Sequence, residues 1–331
     1  MDIEKWSVRI GAAALLFAVL FRLGNDGVFR SAVQALATPE SVAVMMFLES
    51  GRVVRAPAAE PPQDETKPVE TSPLQAEQTP VQAVFAPADA QLVEVNSYCG
   101  YKADVPALLQ QPLSWQLQKK EPTVLILHSH GSESYEKTDK YEESSAYRTL
   151  NTDYNMISIG AELKRILEAG GVQVIHDTQM HDQPSYSASY SQARKSIKKY
   201  LEEYPSICLV LDLHRDAVEN AQGKQVKFVA KQNGKTAAQL MLVVGTDVRL
   251  SHPDWPENMS LAVKMHALLE KSFPGICRPI SFRSQRFNQD LSPGALLVEV
   301  GSAGNTHEEA MAAAQVLGET VLELAAGAAV Q

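Results

Sequence analysis

Two kinds of apolar run alternate along the second two-thirds of the chain. Residues 123–127, 172–175, 207–213 and 296–300 are short and rich in Val, Ile and Leu. Such runs have the length of strands buried on both faces of a sheet. Between and after them, residues 155–169, 189–204, 258–271 and 306–324 place apolar side chains at helical spacing. The first of these sets Ile159, Leu163, Ile166 and Leu167 on one face and stops at Gly170-Gly171. The second is lysine-rich and ends at Pro205, and the last opens with Thr306 and Glu309 at the spacing of a capping box. Two further runs, 226–230 and 240–245, are expected to pair as neighbouring strands. Strand and helix in alternation predict an α/β fold, a three-layer sandwich around a largely parallel central sheet. No internal repeat and no glycine-rich dinucleotide or phosphate loop interrupts this pattern.

The first ninety residues differ in kind. Residues 10–21 are apolar, preceded by Lys5 and Arg9 and followed by Arg22. Extending the run from Trp6 to Leu23 brings it close to the roughly 20 residues of a bilayer span. Phe21-Arg22-Leu23 lacks the small residues of a processing site, so an uncleaved signal anchor is expected. The leading basic residues favour an inside amino terminus, with Arg22 and Arg30 on the far side opposing it. The rest of the chain would then face the extracytoplasmic side of the cell membrane after a single pass. Residues 31–50 are apolar and partly helix-like. Residues 52–90 mix Pro57, Pro61, Pro62, Pro68, Pro73, Pro80 and Pro87 with Glu, Gln, Ala and Thr, a linker composition. The expected layout is a cytoplasmic tip and anchor over 1–30, a juxtamembrane segment and linker over 31–90, and a catalytic domain over 91–331.

Composition narrows the function. With 45% hydrophobic and 21% charged residues the chain can build a core, and its net charge of -9 argues against nucleic acid as a ligand. The three cysteines, Cys99, Cys208 and Cys277, show no CxxC spacing, and Cys208 lies in an apolar run as a small core residue.

The candidate chemistry sits at strand ends, where open α/β sheets hold their sites. The first strand runs into His128-Ser129-His130-Gly131, and the third into Asp212-Leu213-His214-Arg215-Asp216. The strand from Ala295 ends in Glu299. Hydrolytic zinc takes three ligands from His, Asp or Glu and keeps one position open. His130 and His214 are the expected ligands, with Glu133 as the third and Asp153 as its competitor. His128, in phase with His130 by strand alternation, is a further ligand or supporting donor, and Asp212 is in phase with His214. Glu299, in an apolar context, is the expected proton carrier beside a metal-polarised water. Arg215 clamps a substrate carboxylate or pairs with Asp216. His176-Asp177 and His181-Asp182 either line the cleft or satisfy loop groups, and Tyr186 and Tyr190 offer stacking to a sugar-peptide. No nucleophile elbow supports a serine or cysteine hydrolase.

From residues 125 to 135, Leu-Ile-Leu-His-Ser-His-Gly-Ser-Glu-Ser-Tyr, the chain resembles the bacterial stage II sporulation protein P family. The likeness continues through Asn155, Gly160-Ala-Glu-Leu163, the 176–190 cluster, Asp212–Asp216, Leu297–Gly301, Asn305 and Glu308-Glu309-Ala310, in order over residues 120 to 325. That family is similar to the zinc-dependent N-acetylmuramoyl-L-alanine amidases. The likeness puts His130 and His214 on two zinc ligands and Glu299 on the catalytic glutamate. The amidases' glutamate ligand has no clean counterpart in Thr152-Asp153-Tyr154-Asn155, and Gly131 stands where the family usually has a β-branched residue or Asn. Membership would imply cleavage of the muramoyl–L-alanine amide, with a second cut in the stem peptide. The implied process is septal wall degradation and engulfment during endospore formation. The implied partners are peptidoglycan, a sporulation membrane protein and a lytic transglycosylase. A zinc peptidase confined to cross-link peptides and an inactive wall-binding scaffold are the alternatives.

Overall fold

The computed structural model describes residues 85–326, apart from 114–116, 118 and 233. The expected anchor, juxtamembrane segment and most of the linker lie outside the described residues, among which no helix is long and apolar enough to cross a membrane.

Among the described residues nine strands form: β1 (Val95–Ser97), β2 (Val124–Leu127), β3 (Val174–His176), β4 (Leu209–Asp216), β5 (Val229–Gln232), β6 (Lys235–Ala238), β7 (Leu240–Val244), β8 (Ile280–Phe282) and β9 (Ala295–Ser302). Seven make one sheet in the order β1-β8-β7-β9-β4-β2-β3. Every junction is parallel except β7 with β9. The α-helices are α1 (Val105–Gln110), α2 (Met156–Ala169), α3 (Ser189–Glu203), α4 (Trp255–Ser272) and α5 (His307–Ala325). The fold is therefore α/β with a largely parallel sheet, as the alternation predicted.

Strand alternation sorts the side chains into two cores. Val124, Ile126, Leu209, Leu211, Leu213, Leu296, Val298 and Val300 join residues of α2, α4 and α5 in the larger one. Leu125, Leu127, Val210 and Ala295 meet Ala193 and Ile197 of α3 in the smaller one. These two helical layers on opposite faces make the three-layer sandwich. Central strands buried on both faces explain the unbroken apolar runs.

Helix ends follow local chemistry. Asn155 caps α2 by accepting from Ile157 N at 3.0 Å, and Thr306 with Glu309 forms the reciprocal box that opens α5. The pairing expected for 226–230 with 240–245 does not occur. β5 turns back on β6 in a separate ribbon, while β7 lies between β8 and β9. The three-residue strands β1 and β8 are too short to carry an alternation, and only their sheet neighbours define them.

Two glycines allow close approaches. Gly301 has φ 73°, and β9 places two residues between Glu299 and Ser302 where β4 places one between His214 and Asp216. This bulge sits at the sheet end that carries the histidines, a common place for one. Gly160 of α2 faces the rings of His128 and His176, where a Cβ would come within 2.5 Å of His176 Nε2 and 2.6 Å of His128 Nε2. Gly160→Ala is expected to destabilise the protein by about 1–3 kcal/mol, the usual range for overpacking. Chemical denaturation of the two forms checks this, and an unchanged midpoint would mean that the rings are loosely held.

Candidate active site

β4 and β9 are register partners at His214 and Glu299, and Leu213 pairs with Val298. Residues paired this way on parallel strands share a face, so Asp212, His214 and Glu299 stand on the α3 side, with the smaller core beneath them. The loop after β2 brings His130 to the same place. The His130 and His214 rings lie 5.1 Å apart at 87°. Tyr186 stacks on His130 at 4.3 Å and 15°, and Tyr190, in the first turn of α3, meets its edge at 5.3 Å.

Glu133 closes the cluster. It is buried, with Oε2 at 3.6 Å from His214 Nδ1 and Oε1 at 3.5 Å from an Arg215 Nη. Asp212 Oδ1 accepts from Ser129 N at 2.7 Å and lies 2.9 Å from His214 Nε2. That second approach pairs the two groups as ions.

The charges follow from these contacts. Burial alone would push the His214 imidazole down, but the Asp212 carboxylate, with Tyr190 and Glu133, holds it well above its ordinary range. Burial opposes ionisation of Glu133, yet Arg215, His214 and His130 bring its pKa to about 2. His130 goes the other way: burial, and then the His214 charge, lower it to about 4. The centre thus holds one imidazolium between two carboxylates beside a neutral imidazole.

Glu299 is the exception among the carboxylates. Its Oε2 is shut off from solvent with no hydrogen-bond partner, and burial raises its pKa to about 8 against the opposing pull of His214.

Several expected positions move elsewhere. His128 does not join His130, because β2 ends at Leu127 and the following turn swings His130 across. His128 stays in phase with Val124 and Ile126 and is wholly buried toward α2. Its Nδ1 lies 3.1 Å from Leu213 O and its Nε2 2.9 Å from His176 Nε2, so both ring nitrogens are occupied. Arg215 is buried and donates Nε to Ser134 O and Nη2 to Tyr147 O, at 2.9 and 2.8 Å. It fastens the loop that carries Glu133 and is not free to clamp a substrate. Asp216 pairs with Arg278 at 2.8 Å, not with Arg215. Asp153 is exposed ahead of α2 and borders a groove with Thr152, Ile157 and Met311, apart from the histidine pair. The 176–182 cluster serves the loops: His181 pairs with Asp177 at 3.1 Å, and Asp182 accepts from Ser132 N and Oγ.

The donor set suits a divalent cation in kind. Two imidazoles and a carboxylate make a hydrolytic zinc set, and the buried His130 Nδ1 and His214 Nε2 have no hydrogen-bond partners. Among the described residues no three His, Cys, Asp or Glu side chains are already gathered as a metal cage. The His214 proton supplies the positive charge between Asp212 and Glu133 that a cation would supply in its place.

Fold and site together define an α/β protein with a largely buried His-Glu-His-Glu cluster at the carboxyl ends of its central strands. The model of the stage II sporulation protein P family matches residues 41–322, and the chain belongs to that family of sporulation proteins. The stage II sporulation protein P of Bacillus subtilis (strain 168) is 26% identical over 234 residues. That match covers 65% of this chain and 56% of the relative, so the chain spans about half the relative's length. Among solved structures, an N-acetylmuramoyl-L-alanine amidase from Clostridium difficile 630 is 14% identical, with a TM-score of 0.37 over 62% of this chain and 95% of its own. The catalytic domain of CwlV, an N-acetylmuramoyl-L-alanine amidase from Bacillus (Paenibacillus) polymyxa var. colistinus, is 13% identical. Its TM-score is 0.38 over 61% of this chain and 97% of its own.

Glu299 makes stability depend on pH in the metal-free protein. Its raised pKa means that the folded chain keeps a proton which the unfolded chain loses above its ordinary range. Stability therefore falls as pH rises from about 4.5 through about 8. Glu299→Gln is expected to match wild type at pH 4 and to exceed it at pH 9 by a few kcal/mol. That corresponds to roughly 5–10 °C in melting temperature for a domain of this size. Thermal melts in chelator across this range check the sign, and parallel curves would show that Glu299 ionises freely.

Proposed function

We propose that this protein is a zinc-dependent peptidoglycan hydrolase that cleaves the amide between the muramoyl lactyl group and L-alanine, with a second cut in the stem peptide. The observation that carries this reading is Glu299: a half-buried carboxyl whose Oε2 is shut off from solvent without a partner, with a pKa of about 8, beside His214 and the unpartnered His130 Nδ1. Such a group is unsuited to holding a fold together and suited to exchanging a proton near neutral pH.

His130, His214 and Glu133 would hold the metal. When bound, zinc supplies a Lewis acid that polarises the scissile carbonyl and acidifies water. The rest falls to the chain's own residues. His130 and His214 would hold the metal's positive charge beside Glu299, whose carboxyl, raised to about 8 by burial, would then give up its proton more readily. Glu299 then takes the proton of the attacking water and returns it to the departing amine of L-alanine. Tyr186 and Tyr190 fix the His130 ring by stacking on its face and edge. Arg215 holds Glu133 in place through the loop hydrogen bonds to Ser134 and Tyr147.

Residues 1–30 anchor the chain in the cell membrane, with the folded unit on the extracytoplasmic side. There it thins septal wall during endospore formation, alongside a membrane partner and a glycan-cleaving transglycosylase.

Zinc content and product mass spectrometry on purified peptidoglycan test the reading. The full chain is expected to hold about one zinc, retained by Glu299→Gln and lost or weakened in His214→Asn. Only wild type should release stem peptides with free L-alanine amines, with Glu299→Gln reduced by at least about 100-fold. Cross-link cleavage without such amines would make it a peptidase. Wall binding with neither zinc nor products would make it a scaffold.

A further inference from the structure

Arg148 is a cation beside the candidate active site with no anionic counterpart. It lies in the loop between β2 and α2, bridged to Glu133 through the backbone. Its guanidinium sits 4.0 Å from the centre of the Tyr186 ring, the same ring that stacks on His130 at 4.3 Å. Guanidinium, phenol and imidazole thus form one continuous stack ending at an expected metal ligand. Arg148 Nε is shut off from solvent without an acceptor. Arg165, Arg194, Arg215, Arg278 and Arg286 each lie within 4 Å of a carboxylate, whereas among the described residues Arg148, like Arg249 and Arg283, does not; of these three, Arg148 is the one stacked on a ring that also stacks on His130.

The backbone leading into Arg148 is constrained. Tyr147 has φ 55°, a left-handed conformation disfavoured for an aromatic residue. Three hydrogen bonds keep it there. Its carbonyl accepts from Ser134 N at 3.0 Å and Arg215 Nη2 at 2.8 Å, and its N–H donates to Glu143 Oε1 at 3.0 Å. Arg215, which also reaches Glu133, therefore ties the position of Arg148 to that of the centre.

We infer that Arg148, with Tyr186 as its platform, is a carboxylate-binding subsite that takes a free carboxylate on the peptide portion of the substrate. A planar guanidinium stacked on a ring presents its edge donors as a fork, which matches one carboxylate bidentately. The chain's net charge of -9 leaves no broad positive field for a polyanion, so a single local fork selects a single carboxylate. This deepens the amide-hydrolase reading by specifying what lies beyond the scissile bond, but the binding itself needs no turnover.

The test uses the full chain and two product-like probes of equal size. One is alanyl-glutamate with free carboxyls, and the other is alanyl-glutamine amide, in which both carboxyls are amides. Binding is followed by calorimetry or NMR titration. Wild type is expected to prefer the free carboxylates by at least about 10-fold. Arg148→Met should reduce the preference below about twofold while leaving affinity for the amide unchanged, and Arg148→Lys should retain part of it. Equal binding of both probes by wild type would overturn the subsite. Equal loss of both in Arg148→Met would also overturn it, because the side chain would then only be propping Tyr186. A preference measured this way stands even where zinc content and product analysis reject the hydrolase, so the two failures are distinguishable.

Discussion

The setting of the buried His214 ring between Asp212, at 2.9 Å, and Glu133, at 3.6 Å, is the interaction on which the site depends. Removing one member of such an ionic group leaves an uncompensated charge out of water, which typically costs several kcal/mol. The group also ties three segments together. Asp212 and His214 belong to β4, Asp212 receives Ser129 from the turn after β2, and Glu133 belongs to the long loop beyond that turn. Arg215 extends the same network to Ser134 and Tyr147. One run of five residues, Asp212–Asp216, therefore sets the shape of a loop more than sixty residues earlier in the chain.

That arrangement separates residues which hold the site from residues left available. The donors of Arg215 and the oxygens of Asp212 are used up by protein partners. Glu299 Oε2, His130 Nδ1 and Arg148 Nε are not. Buried polar atoms without partners are uncommon in folded proteins because each loses its hydration. These three lie together at one end of the sheet, bounded by the exposed ring of Tyr186, whereas others, such as those of His252 and His266, lie elsewhere.

Much of this was legible in the sequence. His130, His214 and Glu299 stood out because a polar group closing a fully apolar strand has few structural uses, and Glu133 followed from its distance of three residues. The misreadings have physical causes. Alternation placed His128 with His130, but alternation holds only while the strand lasts, and β2 stops at Leu127. Asp153 competed on proximity to the start of α2, whereas Asn155 does the capping there and leaves Asp153 in solvent. Arg215 was read as a substrate clamp because a strand-end arginine beside a histidine resembles one. Only the loop's return path shows that carbonyl oxygens already occupy it. Arg148 carries no local signal, since nothing in Tyr147-Arg148-Thr149 announces a left-handed residue or a ring thirty-eight positions later. β1, β6 and β8 escaped because short strands are defined by partners rather than by pattern, and the run at 226–230 overlaps β5 but was given the wrong partner.

The single antiparallel junction between β7 and β9 has a consequence for how the molecule can diverge. β2, β4 and β9 finish at the rim that holds the histidines, whereas β1, β7 and β8 finish at the opposite rim. Tyr98, Val248 and Leu250, all exposed, follow those latter strands, as does Tyr101, stacked on Trp255 at 5.3 Å. A strand's length, on the order of 15–20 Å, separates the two rims. The loop after β8 nevertheless returns to the site, with Phe287 6.0 Å from the Tyr190 ring and Asn288 donating to Tyr190 O at 2.8 Å. Changes in the loops after β1 and β7 are therefore the ones set apart from the histidines, and selection can reshape those two while the site keeps its geometry.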